Sequence, residues 1–378
     1  MSPRPRVALV AHVVSAQGGG MAGMNAAYVA GLSEQFEFIV LANEVDERSA
    51  QVAQVVKVPT LKSPAVLRFI IFWVIASWKL ARLRRKVDLV WTCGAIVAGR
   101  VDLMSVHLCQ AGLVESYGGS FTPPGLKGPA RFASALHRRV ALKAEQRSVA
   151  KTRLLAAVST SLQSELAGHY PQSKWVITPN GAELDRFAEC ELPRSDDAEL
   201  KILFIGGDWW LRKLATGVEA LALARSQGAQ ISLRIVGAGD EAWLRGFAAE
   251  QGVEDSLIIE GYRDDVIPAI VKSDALLVTS LYETFSLVAL EAAAAGRPIV
   301  GTAVGILPDL IIGDGDDARA AGGIITDGSA AELAAAMLVL ASDRQTLRAM
   351  GVVARRRAGL FTMEAAVMKL GLKLEGLL

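Results

Sequence analysis

Short apolar runs alternate with helix-length stretches from one end of this chain to the other, and that alternation sets the fold class. RVALVAH, FEFIVLAN, VDLVWTCG, DLMSVHL, LLAAVST and KWVITPNG punctuate the first half. KILFIGG, ISLRIVGAG, SLIIEGY, DALLVTS and RPIVGTAVG punctuate the second. The runs are brief and rich in β-branched residues, and they lack the polar alternation of a half-exposed strand. Parallel strands covered on both faces have this character. The predicted fold is α/β, with two doubly wound, Rossmann-like domains in tandem. At 378 residues the length suits two domains. The polar, proline-bearing ELPRSDDAEL, Glu191–Leu200, reads as the linker. The pattern places an N-terminal domain over 1–185, a C-terminal domain over 186–360 and a final helix over 361–378 that crosses back to the first domain.

The net charge of +1 conceals an asymmetry. Residues 1–180 carry 21 Lys and Arg against 10 Asp and Glu, or +11. The remainder carries 19 against 29, or −10. A basic first half points to an anionic partner or to a loosely basic solvated surface. No recognition motif accompanies the charge, so nucleic acid is not expected. The segment PAVLRFIIFWVIASWKLARLRRK, Pro64–Lys86, is apolar nearly all round before ending in a basic cluster. It is too interrupted to span a bilayer. A helix lying in the membrane interface and a helix buried in the first domain both fit it. Three cysteines, Cys93, Cys109 and Cys190, fit no metal spacing, and the N-terminus lacks the apolar run of a secretory signal. A reducing, cytoplasmic setting is expected, at the inner face of the membrane if the interfacial helix operates.

Three segments carry chemistry. GGGMAG, Gly18–Gly23, matches G-x-G-x-x-G after the first strand, and Glu44 follows some twenty residues later. Together they make a formal dinucleotide fingerprint, loosened by VVSAQ between strand and glycines. GGDWWLRK, Gly206–Lys213, brings a fork cation and a point cation, Arg212 and Lys213, to the turn after the first strand of the second domain, where they suit a diphosphate. YETFSLVALEAAAAGRP follows DALLVTS. Its Thr284–Ser286 begin a helix whose free N–H groups and dipole make an anion site. Glu291, inside that helix, can accept hydrogen bonds from a ribose diol. Glu283, at its lip, can accept them from a second hydroxylated group. Each segment alone also reads as ordinary solvated surface, and an E-x7-E pair is common.

Taken together, in this order and spacing, these segments resemble glycosyltransferase family 4. The resemblance runs from about Arg6 to about Phe361 and is tightest over 201–300. VSTSLQSEL and ITPNGAELDRF look like two further family segments. It implies a GT-B fold, two Rossmann-like domains facing across a cleft, and a retaining transfer from a nucleotide-diphosphate sugar, UDP- or GDP-linked. Gly19 and Gly20 would lend backbone N–H groups to the diphosphate or the acceptor. Arg212 and Lys213 would clamp the diphosphate, and Glu283 would bind the donor sugar. The backbone of Thr284, Phe285, Ser286 and Leu287 would hold phosphate oxygens, with Glu291 on the ribose. His107, in SVHLCQAG, would face the transferring sugar, although a histidine between Val106 and Leu108 also reads as a core residue. No metal or other cofactor is implied. DGDD, Asp314–Asp317, contains Asp-x-Asp in a polar loop and reads as solvated. The acceptor would be a glycan or a lipid-linked, cell-envelope molecule. The chain departs from the family where Glu-Gly-Phe-Gly reads Glu283-Thr284-Phe285-Ser286 and Lys-Gly reads Lys213-Leu214. It also has Gly206-Gly207 for Gly-Arg and Asn180-Gly181-Ala182-Glu183 for Asn-Gly-Val-Asp. Rival readings are a dinucleotide-dependent oxidoreductase, a glycosidase using the two glutamates, a nucleotide-sugar epimerase, and an inactive nucleotide-sugar-binding protein.

Overall fold

The computed structural model describes residues 3–61, 64–117, 128–193, 198–312 and 321–378. The chain divides into two compact units. One comprises the residues up to Gly181 together with Met363–Leu378, and the other Ala182–Thr362.

In the first unit a seven-stranded sheet runs, in space, Ala53–Lys57, Glu37–Ala42, Arg6–Val10, Leu89–Cys93, Val101–Val106, Thr152–Ala157 and Trp175–Ile177. Every pairing is parallel. The central strands are buried along their whole length, which is why they read as unbroken apolar runs. Their core closes around Trp91, Phe36, Phe38 and Leu9. Trp91 is wholly buried, and its indole N–H donates to Ser105 Oγ at 2.9 Å. The last helix, Met363–Glu375, packs on helix Met21–Gly31 and places Ala366, Leu370 and Leu374 in this same core.

Helix Ala65–Leu83 packs one face into the first unit, as the buried reading of its segment expects, and turns another outward. Val66, Phe72, Ala76 and Leu80 form a buried stripe, while Leu67, Ile70, Val74 and Trp78 face outward. Arg82 lies over the Trp78 ring at 3.3 Å. Among the described residues no helix is long and apolar enough to cross a membrane. The strand Ala53–Lys57 and the helix Gly128–Val149 were not foreseen. Ala53–Lys57 is a half-exposed edge strand without a distinctive apolar run.

The second unit carries a six-stranded parallel sheet: Leu257–Gly261, Ile231–Val236, Leu200–Ile205, Ala275–Val278, Ile299–Thr302 and Gly323–Thr326. Numbered along the unit, that order is 3-2-1-4-5-6. Connections diverge between the first strand, Leu200–Ile205, and the fourth, Ala275–Val278. Ligands in open α/β sheets bind at such a switch point, outside the carboxyl ends of the strands. Helices Leu214–Ser226 and Ala330–Ser342 cover the sheet with Val218, Leu221, Leu333 and Met337. The polar linker candidate Glu191–Leu200 is described except for residues 194–197.

Candidate active site

Gly206–Lys213 follows the first strand of the second unit, and Thr279–Ser286 follows the fourth. The two loops therefore flank the switch point. Glycines in the first loop and its neighbours make room for bulk. The Trp209 indole donates to Gly206 O at 3.1 Å, and a Cβ on Gly239 would collide with its ring. A Cβ on Gly206 would collide with the Arg212 side chain, 2.5 Å from Nε. Arg212 thus lies across a glycine. Its Nη1 donates to Glu283 Oε1, and its carbonyl accepts from Thr279 Oγ1 at 2.5 Å. Ser280 Oγ also donates to Glu283 Oε1, at 3.3 Å. Oε2 has no such partner among the described residues. The Glu283 side chain is 14% exposed and that of Arg212 34%, so the carboxylate end of the pair is the shielded one.

Lys213 adopts a left-handed conformation at φ 54° and caps helix Leu214–Ser226. It has no ion-pair partner among the described residues. The two cations therefore differ: Arg212 is already held by a carboxylate, whereas Lys213 is free to meet an anion.

The second loop departs from expectation. The helix runs Leu287–Ala294, so Thr284–Ser286 precede it instead of opening it. Ser286 takes φ 74°, a conformation costing a non-glycine residue on the order of 1 kcal/mol. Phe285, 3% exposed, anchors the turn, and its carbonyl accepts from Ile306 N at 2.8 Å. A Cβ on Gly305 would press on that carbonyl at 2.7 Å. The strained turn is held from behind, and the first N–H groups of the helix have no acceptor within the helix itself.

Glu291 is half-buried on this helix. Burial pushes its carboxyl above the ordinary value; Arg186 opposes the shift and Asp265 adds to it. Arg186 and Asp265 are themselves ion-paired at 3.4 Å. Glu283, Glu291, Arg212 and Lys213 all belong to this unit.

In the first unit, the loop after strand Arg6–Val10 is longer than a dinucleotide turn. Val13–Val14 pairs with Glu44–Val45 in a short separate ladder, and Glu44 is exposed there. Gly18 and Gly23 are packing positions: a Cβ on Gly18 would lie 2.8 Å from Ala22 Cβ, and one on Gly23 3.0 Å from Gly18 O. Gly19 and Gly20 face open space, and Gly20, at φ 61°, caps helix Met21–Gly31. Asp46 ties the loop down by accepting from Ala16 N at 2.6 Å. His107 directly follows strand Val101–Val106 and is half-buried. Burial lowers its pKa to about 4, so the imidazole is neutral at pH 7. Asp314–Asp317 lies outside the described residues.

A polar cluster just beyond His107 was not legible along the chain, because its members are far apart in sequence. Glu145, 4% exposed, accepts from Gln110 N at 2.8 Å and from Tyr170 Oη at 2.7 Å. Cys109, Glu165 and His169 stand beside it.

Comparison with known proteins agrees with this fold. A family described as Glycosyltransferase Family 4 matches residues 18–186, and one described as Glycosyl transferases group 1 matches 199–343. A D-inositol 3-phosphate glycosyltransferase of Geodermatophilus obscurus is 30% identical over 252 residues, covering 59% of this chain and 52% of that protein. The chain spans about a quarter to a half of the length of the curated relatives it matches. Among solved structures, WaaG, a glycosyltransferase involved in lipopolysaccharide biosynthesis, superposes with a TM-score of 0.69 at 19% identity, covering 97% of this chain and 98% of that one. HepE of Anabaena, in complex with UDP and glucose, gives 0.64 at 15% identity, covering 99% and 100%. These two share the fold. With both family matches falling in order across its two Rossmann-like units, the chain belongs to glycosyltransferase family 4 and has the GT-B fold.

Proposed function

We propose that the protein is a retaining hexosyltransferase that moves a sugar from a UDP- or GDP-linked donor to a glycan or lipid-linked acceptor of the cell envelope. The observation that carries this reading is the meeting of Arg212 and Glu283 beside the Leu287–Ala294 helix N-terminus, at the switch point of the second sheet. The arrangement suits a diphosphate with hydroxylated groups on both sides. The donor phosphates lie against Lys213, Arg212 and the N–H groups from Ser286 onward. The ribose lies on Glu291 and the donor sugar on Glu283 Oε2. Cations and amides fixed before the reaction stabilise the leaving diphosphate, the kind of preorganisation that contributes most to many enzymatic rates.

In the transfer, the acceptor hydroxyl oxygen bonds to the anomeric carbon on the face from which the diphosphate leaves. The sugar–phosphate C–O bond breaks, and a phosphate oxygen takes the acceptor's proton. No carboxylate nucleophile and no metal are needed, because protein cations carry the leaving charge. His107, held neutral, contributes a hydrogen bond to the transferring sugar, and Gly19 and Gly20 offer N–H groups. Nucleotide binding to HepE supports a nucleotide donor by fold likeness alone.

A panel of nucleotides and nucleotide sugars in thermal-shift assays tests the donor. A rise in Tm with UDP or GDP and their sugars, and none with NAD, is expected. Stabilisation by NAD alone would overturn it in favour of an oxidoreductase. NMR of the product fixes the anomeric outcome.

The exposed face of helix Ala65–Leu83, with Trp78 under Arg82, supports contact with the inner face of the membrane. Sedimentation with anionic liposomes tests this. Binding at low salt that weakens at high salt is expected, and absence of binding at low salt would sink it.

A further inference from the structure

We propose that Cys109, Glu165 and His169 form a binding site for one zinc-type divalent ion, which braces the loop that carries His107. One donor atom from each residue lies within 4.8 Å of the others, and these are the only such Cys, His and carboxylate group among the described residues. Thiolate, imidazole and carboxylate together suit Zn(II), whose structural sites are tetrahedral with bonds of about 2.0–2.3 Å. Such bonds put donor atoms roughly 3.5 Å apart. Side-chain rotations of about an ångström close the set. A fourth position is left for water or for Glu145, whose Oε1 lies 3.8 Å from Cys109 Sγ.

Three further features favour a cation here. Glu165 and His169 sit four residues apart on helix Thr160–His169, so both project from one face. His169 Nε2 already contacts Glu115 Oε2 at 3.1 Å, the carboxylate partner that metal-bound imidazoles use to fix their orientation. Gly112 makes the approach possible, since a Cβ there would occupy the space of the Glu165 carboxylate.

Charge adds to the case. The carboxylates of Glu145 and Glu165 both act on the Cys109 thiol, together with the backbone N–H groups of Gly112 and Ala111. A divalent ion held by the three donors would meet the negative charge of these carboxylates. Binding releases the thiol proton to solvent as sulfur ligates the ion. The site is structural: it holds Cys109, two residues from His107, and takes no part in the transfer chemistry.

The test uses the full-length protein, stripped with chelator and titrated with Zn(II) and, separately, with Co(II) as a coloured stand-in. One equivalent is expected to bind, raise Tm and give a sulfur-to-cobalt charge-transfer band. Cys109→Ser removes the band. His169→Asn, a mild change at a helix end, and Gly112→Ala, which displaces Glu165 without deleting a ligand, each weaken binding at least about tenfold. No saturable binding would overturn the proposal. So would a band that survives Cys109→Ser, or an affinity unmoved by both His169→Asn and Gly112→Ala.

Discussion

Arg212 donates to Glu283 across the switch point of the second sheet, and it reaches that position by lying over Gly206, where no side chain stands in its way. Gly206→Ala should therefore behave like a substitution of Arg212 itself. The new methyl group, which the backbone at φ 156° also strains, expels the guanidinium while leaving its charge on the protein. Loss of a preorganised charge-stabilising donor costs on the order of 10²-fold in rate. We expect kcat/KM for the nucleotide sugar to fall by about that factor, with circular dichroism unchanged. Arg212→Lys should fall nearly as far, since an ammonium cannot keep both the Glu283 contact and a phosphate. Steady-state kinetics of the two variants side by side checks the equivalence. Wild-type turnover in Gly206→Ala would remove Arg212 from the site.

The two glutamates separate by what they touch. Glu291 sits half-buried beside Arg186 and Asp265, and the proposed donor pose puts the nucleoside on it. Glu291→Ala should weaken binding of the bare nucleotide about tenfold, the scale of one lost charged hydrogen bond. Glu283→Ala removes the sugar acceptor and releases Arg212, so bare nucleotide should bind as well as before or more tightly, while transfer is lost. Calorimetric titration with UDP and GDP, followed by turnover with the sugar nucleotide, distinguishes them. Equal effects of both changes on nucleotide affinity would refute the division.

Ser286 holds φ 74° without glycine's freedom. Ser286→Gly should relieve strain worth about 1 kcal/mol, partly offset by the greater entropy of an unfolded glycine. A net gain of roughly 0.5 kcal/mol raises Tm by about 1–2 °C in a unit of this size. Ser286→Val, β-branched in a left-handed conformation, should lower it by several degrees. Thermal melts of the three proteins give the answer. If Ser286→Gly is more stable yet slower, the hydroxyl has a part in holding phosphate; if it is more stable and equally fast, the hydroxyl is incidental.

The sequence made both Rossmann-like sheets legible because parallel strands such as Leu89–Cys93 and Ala275–Val278 are buried on both faces, and burial writes itself as apolar runs. Ala53–Lys57 escaped notice for the opposite reason: an edge strand half in water has no such signature. Arg212, Glu283 and Glu291 stood out through their places in two loops and a helix, and the structure brings the first two together. The start of the helix at Leu287 was not, because Thr284 and Ser286 stand where glycines would have marked the turn. Nothing along the chain could bring Cys109, Glu165 and His169 together, since one comes from a strand end and two from a later helix.

Two histidines of the first unit make its stability depend on pH. Burial lowers the pKa of both His107 and His12 to about 4 from an ordinary 6.5, with Arg68 adding to the shift of His12. His12 also packs on Phe72 at 4.0 Å between ring centroids. In the folded protein both rings stay neutral through a range in which the unfolded chain takes up protons. The unfolded state then binds more protons, so stability falls as pH drops from 6.5 toward 4 and is unaffected above that window. Each ring contributes at most about 3 kcal/mol by linkage. His12→Phe keeps an aromatic partner for Phe72 and removes the titration. Its Tm should decline less than wild type between pH 7 and pH 4.5, and His107→Asn should do the same through the other ring. Melts across that range measure both, and a decline identical to wild type in each variant would show that neither ring is held neutral by the fold.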